Sequence, residues 1–110
     1  MIKNNAFTEL NVLWETIEER AKNKKVTESY VALLLDKGIK ECSKKLGEEA
    51  VETALAATRL DKEETIKESS DLLFHLFVLW KALDISPDNI IQELNKRRNR
   101  SGIEEKKQRL

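Results

Sequence analysis

The chain has 110 residues with 20 basic and 20 acidic side chains, a formal net charge of zero, and 36% charged residues. That length fits one domain burying roughly 65% of its unfolded surface, and excludes a two-domain Rossmann enzyme or an α/β barrel. Balanced charge gives no bulk attraction to nucleic acid or to an anionic membrane, so neither is expected as a partner.

Gly (3) and Pro (1) are scarce and aromatics make up 5%, too few turn residues and β-formers for a sheet protein. Ala, Leu, Glu and Lys favour helix. Cys42 is the single cysteine, so no intramolecular disulfide forms, and one Cys with one His falls short of a structural zinc site. No long uninterrupted apolar run and no signal-peptide core are present. The expectation is a soluble, cytoplasmic, all-α single domain over residues 1–110, a bundle of about four to five helices.

The first helix is read at 7–21, where Phe7, Leu10, Leu13, Trp14, Ile17 and Ala21 share one face. Lys22 to Lys25 is a polar break. A short helix follows at 28–36, with Thr27 as N-cap and Gly38 as a left-handed C-cap. The third helix runs about 39–59, with Gly47 a weak point inside it. Asp61 caps the fourth, about 62–83, and Ser86-Pro87 starts the fifth, which continues to about Asn99. Ser101-Gly102 breaks it and a charged tail follows.

From Leu72 to Trp80 almost every residue is apolar, His75 being the exception. A helix apolar all round must be covered all round, and a domain this small has too few helices to do so. A homodimer with this helix central is the expectation. Trp14, Phe74, Phe77 and Trp80 are read as core or interface, not as a base-stacking platform. Cys42 is read as a small buried hydrophobe, and His75 as a hydrogen-bonded interface histidine.

The carboxylates sit on unexpected faces. At about 100° per residue, Glu49 falls within about 20° of Cys42 and Ala56, on the apolar stripe, with Glu52 at its margin and Glu48 further round. Glu68 falls within about 40° of Leu72 and Leu79, with Asp71 one turn later. Glu-x-x-Glu on one helix thus meets Glu-x-x-Asp on the next, each pair projecting from one side. Clustered carboxylates repel and resist burial, so they need either bound cations or basic side chains reaching in. All-oxygen donors suit hard cations, Mg²⁺ first and Mn²⁺ second. A di-iron bundle would need Glu-x-x-His, whereas His75 follows Asp71 by four positions.

Magnesium held by carboxylates commonly takes substrate phosphate as a further ligand, which points to phosphoryl chemistry. Basic residues for a phosphate are available at Lys44 and Lys45 and along the stretch from Lys96 to Arg109. No P-loop is present, so metal and side chains would have to build the phosphate site.

Ser29-Tyr30 with Leu34 and Gly38, then Lys45-Leu46-Gly47-Glu48-Glu49-Ala50-Val51-Glu52, resemble the phosphoribosyl-ATP pyrophosphohydrolases of histidine biosynthesis, within the all-α NTP pyrophosphatase (MazG-like) superfamily. Glu68-Ser69-Ser70-Asp71-Leu72-Leu73-Phe74-His75-Leu76 and Ser101-Gly102-Ile103-Glu104-Glu105-Lys106 extend the likeness over nearly the whole chain. Lys44 departs from the Gln common in the family. The resemblance implies Mg²⁺-dependent hydrolysis of phosphoribosyl-ATP to phosphoribosyl-AMP and pyrophosphate, in a dimeric bundle with sites formed between subunits. It implies the stand-alone form, without a fused cyclohydrolase. It implies Glu49, Glu52, Glu68 and Asp71 as metal ligands. Glu48 either positions or deprotonates the attacking water or is a solvated neighbour, and Lys45, Arg97, Lys106 and Arg109 are the candidates for phosphate contacts. A general NTP or dNTP pyrophosphatase would use the same carboxylates. A non-catalytic dimeric helical module would use none.

Overall fold

Asn5 starts the first helix. Its Oδ1 accepts from the backbone N–H groups of Phe7 and Thr8, both at 3.0 Å, and α1 then runs Ala6–Asn23. The computed structural model describes residues 5–98 and 102–109. The remaining helices are α2 (Tyr30–Lys37), α3 (Ile39–Thr58), α4 (Lys62–Ala82), α5 (Pro87–Arg97) and α6 (Gly102–Arg109), and no strand occurs among the described residues.

Most predicted boundaries agree to within one or two residues, and three differ for physical reasons. The α2 cap is Ser29 rather than Thr27: Ser29 Oγ accepts from Ala32 N at 3.3 Å. The residues before it close a turn instead, with Glu28 N donating to Lys25 O at 2.8 Å and Lys25 N donating to Glu28 Oε1 at 2.9 Å. Gly38 does carry a positive φ of 95°, but its ψ of 176° is extended, not that of a left-handed cap. It serves two helices at once: its N–H donates to Leu34 O and Leu35 O, and its carbonyl accepts from Cys42 N. A charged tail was expected after Gly102, yet residues 102–109 form α6. Strong helix formers there outweigh the glycine at its start.

Asp61 and Ser86 cap α4 and α5 as expected, and Asn89 completes a capping box with Ser86. Leu60 and Asp84, in the turns before and after α4, adopt φ of 59° and 57°. Asp tolerates this left-handed backbone, but nothing in the sequence pattern marks Leu60 for it, a conformation that costs a leucine about 1 kcal/mol or more.

Residues 59–61 leave α3 and α4 only three residues apart, so they fold back as an antiparallel pair, and they share the most extensive contact in the bundle. The core lies where α1, α2 and α4 close on the start of α3: Trp14 and Ile17, Val31 and Leu34, Phe77 and Val78, and Cys42. Trp14 meets Phe77 edge-on, with centroids 6.1 Å apart. Cys42 is the small buried group expected, its Sγ 3.3 Å from Leu34 O.

The cover over Leu72–Trp80 is partial. His75, Phe77 and Val78 are buried, while Leu73 remains 38% exposed. Beside it, α1, α4 and α5 border an open apolar groove of about 390 Å³ lined by Phe7, Trp14, Leu73, Phe77, Ile91 and Leu94 among others.

Candidate metal centre

Antiparallel pairing of α3 and α4 turns two local spacings into one cluster. Glu49 comes from the middle of α3, Glu68 and Asp71 from the second and third turns of α4. One carboxylate oxygen from each lies within 4.8 Å of the others. Glu49 and Glu68 are half-buried and Asp71 is exposed, so the cluster opens on one side to solvent.

Two features describe its electrostatics. Glu49 Oε2 and Glu68 Oε2 are buried and accept no hydrogen bond from any described residue. The Glu68 carboxyl is pushed up from 4.5 to about 8, first by the carboxylate of Glu49, then by that of Glu52, then by burial and by Glu64. The neighbouring carboxylates disfavour a further negative charge on Glu68, so its protonated form is favoured. Glu52, exposed on α3, is therefore within reach of Glu68 and completes the acidic patch.

Of the two ways to compensate such a cluster, no basic side chain among the described residues supplies the second. Among the described residues no Lys, Arg or His pairs with Glu49, Glu52, Glu68 or Asp71. Buried oxygens without donors, converging from two rigid helices, are the donor set that a hard divalent cation fits.

The other predicted site residues lie elsewhere. Lys45 and Glu48 pair with each other one turn apart on α3, Nζ to Oε2 3.6 Å, and Glu48 is exposed outside the three-residue cluster. Arg97, near the end of α5, holds Glu93 at 3.1 Å. Lys106 is exposed on α6. Arg109 ends that helix, and its side chain lies outside the described ones. His75 is buried but Nδ1 has no hydrogen-bond partner among the described residues, unlike the hydrogen-bonded histidine expected. It is held instead by the rings of Tyr30 and Phe74. Glu64 is the group that sequence reasoning missed. It stands four residues before Glu68 on α4, a spacing that places both on one helix face.

The sequence as a whole supports the same chemistry. Residues 10–98 match the family described as phosphoribosyl-ATP pyrophosphohydrolase. The chain belongs to that family. Among proteins named phosphoribosyl-ATP pyrophosphatase, one from Azorhizobium caulinodans is 54% identical over 81 residues, 74% of each chain. One from Methanococcoides burtonii is 49% identical over 82% of this chain and 92% of its own. One from Granulibacter bethesdensis is 44% identical over 96% of this chain and 66% of its own. The phosphoribosyl-ATP pyrophosphohydrolase match spans α1 to α5, so the acidic cluster lies wholly inside it.

Proposed function

We propose that this chain hydrolyses phosphoribosyl-ATP to phosphoribosyl-AMP and pyrophosphate, the second step of histidine biosynthesis, with Mg²⁺ held by Glu49, Glu52, Glu68 and Asp71. The observation that carries this reading is the convergence of Glu49, Glu68 and Asp71 without a basic partner among the described residues, in a member of this family. Mg²⁺ comes before Mn²⁺ because the donors are all carboxylate oxygens.

The bond to be broken is the anhydride between the α- and β-phosphates. Water oxygen bonds to the α-phosphorus, the bridging oxygen leaves with pyrophosphate, and the water's proton must be accepted. Bound at the carboxylates, the cation supplies charge neutralisation for the triphosphate and its leaving group. Glu49, Glu68 and Asp71 would hold the cation in one place, because they stand on two packed helices rather than on loops. Glu48, one residue before Glu49 and open to solvent, is placed here as the group that orients or deprotonates the water. Its pairing with Lys45 brings a cation to the same helix face. Arg97, Lys106 and Arg109 complete the assignment as phosphate contacts.

Pyrophosphate release with Mg²⁺ from phosphoribosyl-ATP, compared with ATP and the deoxynucleotides, tests the assignment. The expected result is a preference for phosphoribosyl-ATP of about 100-fold or more in kcat/KM. Comparable rates on ordinary nucleotides would move the chain to the general NTP pyrophosphatases. No release from any of them would leave a helical module without catalysis.

The active form in this reading is a homodimer in the cytoplasm. Leu73 and the apolar groove between α1, α4 and α5 form a face that one chain leaves open, with Phe7, Ile91 and Leu94 all more than half exposed. Among the described residues no helix is long and apolar enough to cross a membrane. Sedimentation equilibrium is expected to give twice the chain mass of 12.7 kDa. Leu73→Arg is expected to shift that mass toward the monomer. A parent protein that sediments as a monomer at assay concentration would rule the dimer out.

A further inference from the structure

Three rings meet where α2 leans on α4. Tyr30, the first residue of α2, lies nearly parallel to Phe74, with centroids 6.0 Å apart and planes 13° apart. His75 stands edge-on to both, at 6.0 Å and 87° to Tyr30 and at 5.2 Å and 78° to Phe74. These are the offset-stacked and T-shaped arrangements that ring quadrupoles favour. His75 is buried, while Tyr30 is 48% exposed. The group is thus a fixed wall carrying one open ring. Its position is set from below as well: Ser29 is buried, and its side chain caps the helix that Tyr30 begins.

The location of this ring is informative. His75 lies within about 20° of Glu68 around α4 and about 6 Å beyond Asp71 along it. The exposed tyrosine packs edge-on to this histidine, against the part of α4 that follows Asp71 by about one turn and Glu68 by about two. In a nucleoside triphosphate one ribose separates the α-phosphate from the base. A purine one ribose beyond phosphates held through the carboxylate cluster is separated from them on the scale of about one to two helical turns. Stacking of a base on an aromatic ring accepts any purine face and needs only a held, exposed ring.

We propose that Tyr30 is a substrate-binding residue that stacks on the purine base of the substrate, with Phe74 and His75 positioning its ring. This rests on the functional reading above. It gives Phe74 a second role beside the core packing expected of it from the sequence.

Two measurements test it. The first compares phosphoribosyl-ATP hydrolysis by the parent, Tyr30→Phe and Tyr30→Leu. Tyr30→Leu is expected to raise KM on the order of 10- to 100-fold with kcat nearly unchanged, the effect of losing one base stack. Tyr30→Phe, which keeps the ring, is expected to stay within about twofold of the parent. A KM for Tyr30→Leu equal to the parent's, or a Tyr30→Phe enzyme as impaired as Tyr30→Leu, overturns the proposal. The second needs no variant and stands if Tyr30→Leu does not fold. Tyr30 is the single tyrosine, so its ring protons are unambiguous in a sample with deuterated Phe and Trp. With AMP as the probe, nuclear Overhauser contacts between the Tyr30 ring and the adenine H2 or H8 protons are expected. Their absence at saturating AMP overturns the stacking. A parent protein that shows these contacts but releases no pyrophosphate from phosphoribosyl-ATP would refute the assigned reaction and leave the base site standing.

Discussion

Glu49→Ala and Asp71→Ala are each expected to lose pyrophosphate release by at least roughly 10²- to 10³-fold, the scale of removing one well-placed electrostatic stabiliser. The helices should survive. Asp71 is exposed, and Glu49 is half-buried with an oxygen that no described residue bonds. Alanine at either position also removes a negative charge from a like-charged cluster, so the metal-free fold loses little. Steady-state pyrophosphate assays with far-ultraviolet circular dichroism on the same samples make the comparison. Parent-like turnover by both variants would eliminate the α3–α4 cluster as the metal centre. The Glu48→Gln enzyme separates the roles: metal affinity should hold while turnover falls, because Glu48 lies outside the three-residue cluster.

The second large effect is on stability against pH. Glu68 is held up at about 8, against an ordinary 4.5, by Glu49, Glu52, burial and Glu64. A carboxyl raised on folding means that the folded chain binds more protons than the unfolded chain between those two values. Its contribution is complete below 4.5 and is lost as pH rises toward about 8. The metal-free protein is therefore expected to melt at lower temperature at pH 8 than at pH 6, in EDTA and at constant ionic strength. Glu68→Gln, which keeps the shape of the protonated acid, should flatten that dependence and raise the melting temperature at pH 8. Millimolar Mg²⁺ should raise the parent's melting temperature more at pH 8 than at pH 6, since ligands must be ionised to bind it. A melting temperature insensitive to both EDTA and pH across this window would show that the four carboxylates are not coupled in the folded chain.

Both expectations depend on residues that the sequence made visible for a simple reason. Helical periodicity is local, so the angle of Glu49 relative to Cys42 and Ala56 follows from about 100° per residue, and a carboxylate on an apolar stripe stands out. The N-caps at Asp61 and Ser86 were equally legible, since capping is a bond between a side chain and its own neighbours. Thr27 was misread where two N-cap formers stand close together. The choice fell to Ser29 because Glu28 is committed to the turn with Lys25.

Local pattern was enough for the all-α class, the five main helices and the spacing of the acidic residues along each helix. Tertiary structure alone decided which of those residues meet. The turn at residues 59–61 and the packing of α3 on α4 set the register that brings Glu49 to Glu68 and Asp71. The same packing brings Glu52 within reach of Glu68, whereas Lys45 with Glu48 and Glu64 with Glu68 are neighbours within one helix. Likewise, nothing local links Tyr30 to Phe74 and His75, which lie more than forty positions apart in the chain. Spacing along one helix is fixed by backbone geometry. The distance between side chains on different helices is fixed by how their surfaces interlock, and that depends on every residue at the contact.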